Sequence, residues 1–158
     1  MKKLSILLIL ALALSACSNE EKETQSSLRD QLIGEWQNLS IKVTMNQLDS
    51  IANPDVYEVD TTNWEKELQI KPIITTFNAD STYTSVYRAL NDSVLGVLKG
   101  RWGVIEDTLL MLPQQNSQPS KYFTKIDGNQ AEFTTLLDWD SDGEEDDLYI
   151  GIQEKVIR

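Results

Sequence analysis

From Asp138 to Asp147 the chain reads Asp-Trp-Asp-Ser-Asp-Gly-Glu-Glu-Asp-Asp, seven acidic residues in ten. Carboxylates at alternate positions converge on one centre when the chain turns at a glycine, and Gly143 supplies that turn. Hard cations such as calcium are held by oxygen ligands of this kind. An acidic hairpin turn, kept soluble by its charge and guarding a sheet edge, is the other reading of the same residues. The second residue with chemistry of its own is Cys17, the only cysteine, so no disulfide forms within the chain and the thiol is left for another use. It follows Met1-Lys2-Lys3 and a run from Leu4 to Leu14 that is apolar apart from Ser5. A basic start, a short apolar stretch and small residues before a cut describe a secretory signal peptide over residues 1–16. The run is too short to span a bilayer, which takes roughly 20 residues.

Composition narrows the function further. The 158 residues hold 14 basic and 25 acidic side chains, for a formal charge of −11. Removing residues 1–16 takes Lys2 and Lys3 away, leaving 12 basic against 25 acidic and a charge of −13. That balance argues against nucleic acid, whose phosphates need Lys and Arg clusters, and against adsorption to anionic lipid. There is no histidine, which removes Ser-His and Cys-His nucleophile pairs, histidine zinc sites and the usual general base near neutral pH. Carboxylate-only catalysis stays formally open, but no acid–base pair stands out, and a non-enzymatic protein is expected.

The elements that must position these residues are strands. Ser18 to Ser27 is polar and charged, a spacer rather than a folded element. Beyond it, β-branched and aromatic runs cover Gly34 to Thr44, Ile70 to Phe77, Thr82 to Ala89, Val94 to Ile105, Thr108 to Leu112, Lys121 to Ile126, Ala131 to Leu137 and Leu148 to Ile157. Turn signals separate most of them, including Asn78-Ala79-Asp80-Ser81, Glu106-Asp107 and Asp127-Gly128-Asn129. Eight strands joined mainly by tight turns are antiparallel in sequence order, and a sheet of this size removes its edges by closing into an up-and-down barrel. Met45 to Gln69 is a long loop, within which Thr62-x-x-Glu65 has the capping-box pattern of a short helix over Asn63 to Leu68. In the last strand Leu148, Ile150, Ile152 and Val156 share one face, and Tyr149, Gln153 and Lys155 the other. In the first strand Leu39, Ile41, Val43 and Met45 face away from Trp36 unless a bulge resets the register. Asp followed by Ser or Thr and an apolar residue, at Asp49, Asp92 and Asp107, with Thr82 in the third place after Asp80, reads as turn-to-strand junctions.

Several of these motifs resemble known families. Leu14-Ser15-Ala16-Cys17 resembles the lipobox of bacterial lipoproteins, in which the Cys is diacylated, the chain is cut before it and the new amino group is acylated. Several acyl chains together anchor stably. Ser18-Asn19-Glu20-Glu21 resembles the acidic surface-export signal of Bacteroidetes lipoproteins, and a plain solvated tether is equally compatible. Gly34-Glu35-Trp36 resembles the Gly-x-Trp opening of lipocalins, preceded by a turn that could form their 3₁₀ element. Phe77 to Tyr83, with Ser81 in place of a glycine, and Gly100-Arg101-Trp102 followed by Asp107-Thr108-Leu109 resemble strand pairs of lipocalin-like Bacteroidetes lipoproteins. The Thr-Asp-Tyr motif of vertebrate lipocalins is missing. The acidic loop resembles the first half of an EF-hand loop, although Tyr149 stands where the bidentate Glu belongs. It is closer to the Asp-x-Asp-x-Asp-Gly-x-x-Asp loops of integrin-type propellers, which implies Asp138, Asp140, Asp142 and Asp146 as ligands with Glu144 through its carbonyl.

The expected architecture is therefore a signal peptide over 1–16, a lipidated Cys17 and tether over 17–27, and over 28–158 an all-β, eight-stranded, up-and-down antiparallel barrel of lipocalin-like type. A long loop or short helix lies between strands 1 and 2. The resemblance implies structural roles for Gly34 and Trp36, with Lys155 or Arg158 stacked over Trp36. It also implies an outer-membrane address and a small hydrophobic ligand. Tyr83, Tyr87, Phe123 and Phe133 are the candidate lining and Trp64 the candidate lid, unless these aromatics are simply core. Such barrels hold one ligand or are filled by their own side chains. The alternative is a non-enzymatic envelope module that engages a protein or glycan partner, with a structural calcium loop.

Overall fold

The computed structural model describes residues 27–45 and 55–157. The signal peptide, Cys17, the tether before Ser27, Asp49 and Arg158 lie outside the described residues. Within them the chain forms α1 (Leu28–Leu32), β1 (Gly34–Thr44), β2 (Val56–Val59), α2 (Trp64–Leu68), β3 (Ile74–Phe77), β4 (Thr82–Arg88), β5 (Val94–Ile105), β6 (Thr108–Pro113), β7 (Ser120–Asp127), β8 (Gln130–Leu137) and β9 (Asp147–Lys155). Neighbours from β3 to β9 pair antiparallel in sequence order, and β1 closes the ring between β9 and β3. The result is a closed eight-stranded antiparallel barrel with one extra strand, consistent with the lipocalin-like architecture expected from sequence.

The extra strand explains how a long β1 serves two partners on one edge. Gly34 to Gln37 pair with β3, from Gly34↔Phe77 to Gln37↔Ile74. Ile41 to Thr44 pair with β2, from Ile41↔Val59 to Thr44↔Val56. Between these stretches the register against β9 shifts at Asn38/Ser40. This bulge moves the inward face from even to odd positions. Trp36 and Asn38 before it, and Val43 after it, are all buried. Strand β3 is shorter than the apolar run suggests: Pro72 has no N–H to give to a ladder, and Ile70 makes only an isolated bridge to Ala89.

In β9 the inward face is the polar one. Asp147 and Gly151 are buried, and Tyr149 and Gln153 share their face, while Leu148, Ile150 and Ile152 point outward. That is the reverse of what hydrophobicity alone favours. In the long connection, α2 forms where a short helix is expected but starts one residue later than the capping box implies. Its N-cap is Asn63, because Thr62 donates from both N and Oγ1 to Asp60 Oδ1, at 2.7 and 2.6 Å. The same Asp-x-Thr turn recurs at Asp80, whose Oδ1 accepts from Thr82 N and Oγ1 at 3.0 and 2.6 Å. These hydrogen bonds, led by the threonine hydroxyl in each case, hold both carboxyls below their ordinary pKa. Ser81, which stands where the resembling motif has glycine, takes a left-handed φ of 68°.

One end of the barrel is closed by α1, a single α-helical turn where the resemblance implies a 3₁₀ element. Ser27 caps it, its Oγ accepting from Asp30 N at 3.2 Å. Five residues cannot hold a helix alone, so tertiary contacts must. Trp36 Nε1 donates to Leu32 O at 2.7 Å. Lys155 Nζ donates to Gln31 O at 2.7 Å and lies 5.3 Å from the Trp36 ring centroid. Arg29 stacks 4.7 Å over Trp102 and donates to Ala79 O and Ser81 Oγ, both at 2.9 Å. Gly34 makes the corner: its φ of +131° suits only glycine, and a Cβ there would sit 3.0 Å from Lys155 Cε. Leu32, Trp36, Phe77, Tyr83, Trp102, Leu109, Ala131 and Phe133 form the core at this end.

Candidate functional site

Above that core the barrel is hollow. A cavity of about 240 Å³ is lined by residues of β1 and of β3 to β9, with Phe77, Tyr83, Leu109 and Phe133 shared between its wall and the core. Alternation delivers its aromatics: Tyr83 and Tyr87 from β4, Tyr122 from β7, Phe133 from β8 and Tyr149 from β9. Tyr122 packs edge-on against both Phe133 and Tyr149, with centroids 6.5 and 6.3 Å apart. Burial raises the pKa of the Tyr83, Tyr122 and Tyr149 hydroxyls. Neighbouring phenols add to the rise, Tyr87 acting on all three. In Tyr122 a hydrogen bond with Ser120 works against it. At neutral pH these three groups are protonated, neutral hydrogen-bond donors.

The polar remainder of the wall is partly self-satisfied. Thr75 Oγ1 and Ser85 Oγ hydrogen-bond each other at 2.8 Å. Asn38 is buried in the wall, and Gln153 Oε1 is buried with no hydrogen-bond partner. No lining side chain carries a charge.

Of the expected lining, Tyr83, Tyr87 and Phe133 are brought together here. Phe123 is not: it lies on the outer face of β7, 45% exposed, with Lys125 Nζ 5.4 Å from its ring centroid. Lys121 and Lys125 share its face, and buried Thr124 alternates with it, so the inward position belongs to Tyr122. Trp64 is not a lid either. It is 1% exposed on α2, beside Gln37, Asn38 and Pro72, where β1 passes from β3 to β2. Tyr122, Tyr149, Asn38 and Gln153 are the lining residues that sequence did not single out. The charged flanks of β7 are the signal that could have found Tyr122.

The acidic loop joins β8 to β9 at the end away from α1, and Trp139 in it stacks on Tyr57 of β2 at 5.4 Å. Asp147 organises it from beneath. Fully buried, Asp147 accepts from Trp139 N and Asp140 N through Oδ2, at 2.6 and 3.2 Å. Carboxylate oxygens of Asp138, Asp140 and Asp147 lie within 4.8 Å of one another. Two expected ligands, Asp138 and Asp140, are therefore joined by one that was not expected. Asp142, Glu144 and Asp146 are outside that group; Asp142 Oδ1 instead accepts from Glu144 N at 2.8 Å. The loop amides also draw on the acids, with Gly143 N donating to Asp138 Oδ2 at 3.2 Å.

The chain matches no protein-family model and no curated protein.

Proposed function

We propose that this protein is a lipid-anchored module of the bacterial outer membrane, non-enzymatic, whose barrel holds one small ligand. The observation that carries the ligand half is the concave cavity of about 240 Å³ in the barrel above the core, with no charged side chain in its wall. Pockets for small molecules are concave, largely apolar and equipped with a few polar groups, and this one has that makeup. The anchor half rests on Leu14-Ser15-Ala16-Cys17 after a basic and then apolar stretch. With a strongly acidic mature chain, acyl groups are the natural hold on a lipid surface. Radiolabelled palmitate fed to producing cells is expected to label the protein, which fractionates with outer membranes. Cys17→Ala is expected to lose label and membrane association while keeping its melting temperature. A wild-type protein that stays unlabelled and soluble contradicts the anchor.

A second reading, a partner-binding module with a calcium-ordered loop, is favoured by the approach of Asp138, Asp140 and Asp147. Calcium at a hundredfold excess over its dissociation constant stabilises a protein by about 2.7 kcal/mol, on the order of 8 °C in melting temperature for a domain of this size. That shift is expected in the wild type and not in the Asp138→Ala, Asp140→Ala double variant. No heat on calorimetric titration with calcium and no shift in melting rule the ion out.

A further inference from the structure

We propose that the cavity is built for a neutral molecule of one ring or two fused rings with a hydrogen-bonding group on its edge, such as a phenol, an indole or a nitrogen heterocycle. This rests on the ligand-binding reading above and adds the ligand's chemical class. Size sets the first limit. A cavity of roughly 150 Å³ takes up benzene, so about 240 Å³ leaves space for a substituted or fused ring and little for an extended acyl chain. Charge sets the second. No lining residue is charged, and an ionised ligand buried there would lack a counter-charge.

The aromatic wall and its polar atoms set the third. Tyr122, Phe133 and Tyr149 already meet edge to face, an arrangement that a further flat ring extends. Thr75 and Ser85 satisfy each other, but Gln153, which lines the cavity, keeps its Oε1 buried without a partner. A buried acceptor with no donor is rare in folded proteins, and a ligand N–H or O–H would supply one after rotation of the amide. The protonated phenols of Tyr83, Tyr122 and Tyr149 provide donors around the same space. A long-chain fatty acid exceeds this volume, and with its carboxylate buried it would meet no counter-charge in the wall.

Calorimetric titration of the mature chain in detergent, corrected against empty micelles, tests this with indole, indene and indole-3-carboxylate. Indene has the size and shape of indole without the N–H; the carboxylate adds a negative charge. Indole is expected to bind at least about tenfold more tightly than indene, and the carboxylate to bind more weakly than either. Gln153→Leu, which removes the lone acceptor, is expected to bring indole and indene within about twofold of each other. If that variant does not fold, the wild-type ratio decides alone. Indene binding as well as indole overturns the polar selection and leaves the ligand-binding reading standing. Tighter binding of the carboxylate overturns the neutral class. If none of the three binds while protein from producing cells carries an adduct, the ligand class is wrong; if there is no adduct either, both readings fall.

Discussion

Trp36→Ala is expected to cost about 3–5 kcal/mol, the range for emptying a large aromatic site in a core. Domains of this kind have about 5–15 kcal/mol in total, so the variant should lose a large share of its stability. The size of the effect follows from how many parts meet on this ring. Trp36 is 0% exposed, its indole N–H holds Leu32 O, and Lys155 lies over its face while capping Gln31 O. Without the ring, α1 loses both its apolar seat and the organisation of its capping lysine, and the closed end of the barrel opens. Trp36→Phe retains most of the contact and loses the hydrogen bond, so it should cost less than half as much. Urea denaturation of both variants measures the difference. A loss below 1 kcal/mol in the alanine variant, roughly that of an ordinary surface change, would show that α1 does not close the barrel.

The second large effect is expected at Gly100. A Cβ at this position would overlap Leu112 O on the neighbouring strand and approach Tyr83 Cε1 to 2.6 Å. The tyrosine ring can give way, but the Leu112 carbonyl is backbone within the β5–β6 ladder, where Gly100 pairs with Pro113. Overpacking a core commonly costs about 1–3 kcal/mol and occasionally more; with backbone in the way, Gly100→Ala belongs at about 3 kcal/mol or above. Gly96 and Gly103 provide the control on the same strand. A Cβ at either meets nothing within 4 Å, so both alanine variants should lie within about 1 kcal/mol of wild type. Equal stabilities for all three variants contradict the packing. Tyr83 also lines the cavity, so whatever stability remains in Gly100→Ala should come with weakened ligand binding.

Turn chemistry and β-branched runs made the eight barrel strands legible in the sequence. At Gly128-Asn129 the hairpin forms with Asp127 opposite Gln130, as its residues suggest. The site was less legible because alternation gives two faces without saying which is inside. In β9 the apolar face is Leu148, Ile150 and Ile152, yet Tyr149 and Gln153 line the cavity. A hollow barrel tolerates polar atoms inward, and its outer face must still pack against β1 and β8 neighbours. In β7 the same ambiguity put Phe123 forward in place of Tyr122. Strand β2 escaped notice because four alternating residues, Val56 to Val59, are too few to stand out within a long connection. In the acidic loop, spacing pointed to Asp142 and Asp146. Asp147 joined the cluster instead, because as the first residue of β9 it turns inward beneath the loop. The resemblance implied Lys155 or Arg158 as the partner of Trp36 without choosing between them; in the ladder that closes the barrel, Lys155 lies opposite Trp36.

The most direct test of the central claim, that this barrel is a container, is native mass spectrometry of the protein taken from producing cells. The cavity predicts one non-covalent adduct per chain, smaller than a long-chain fatty acid and released on gentle activation. A chain that flies at its bare mass under the mildest conditions, with no second species, would contradict it.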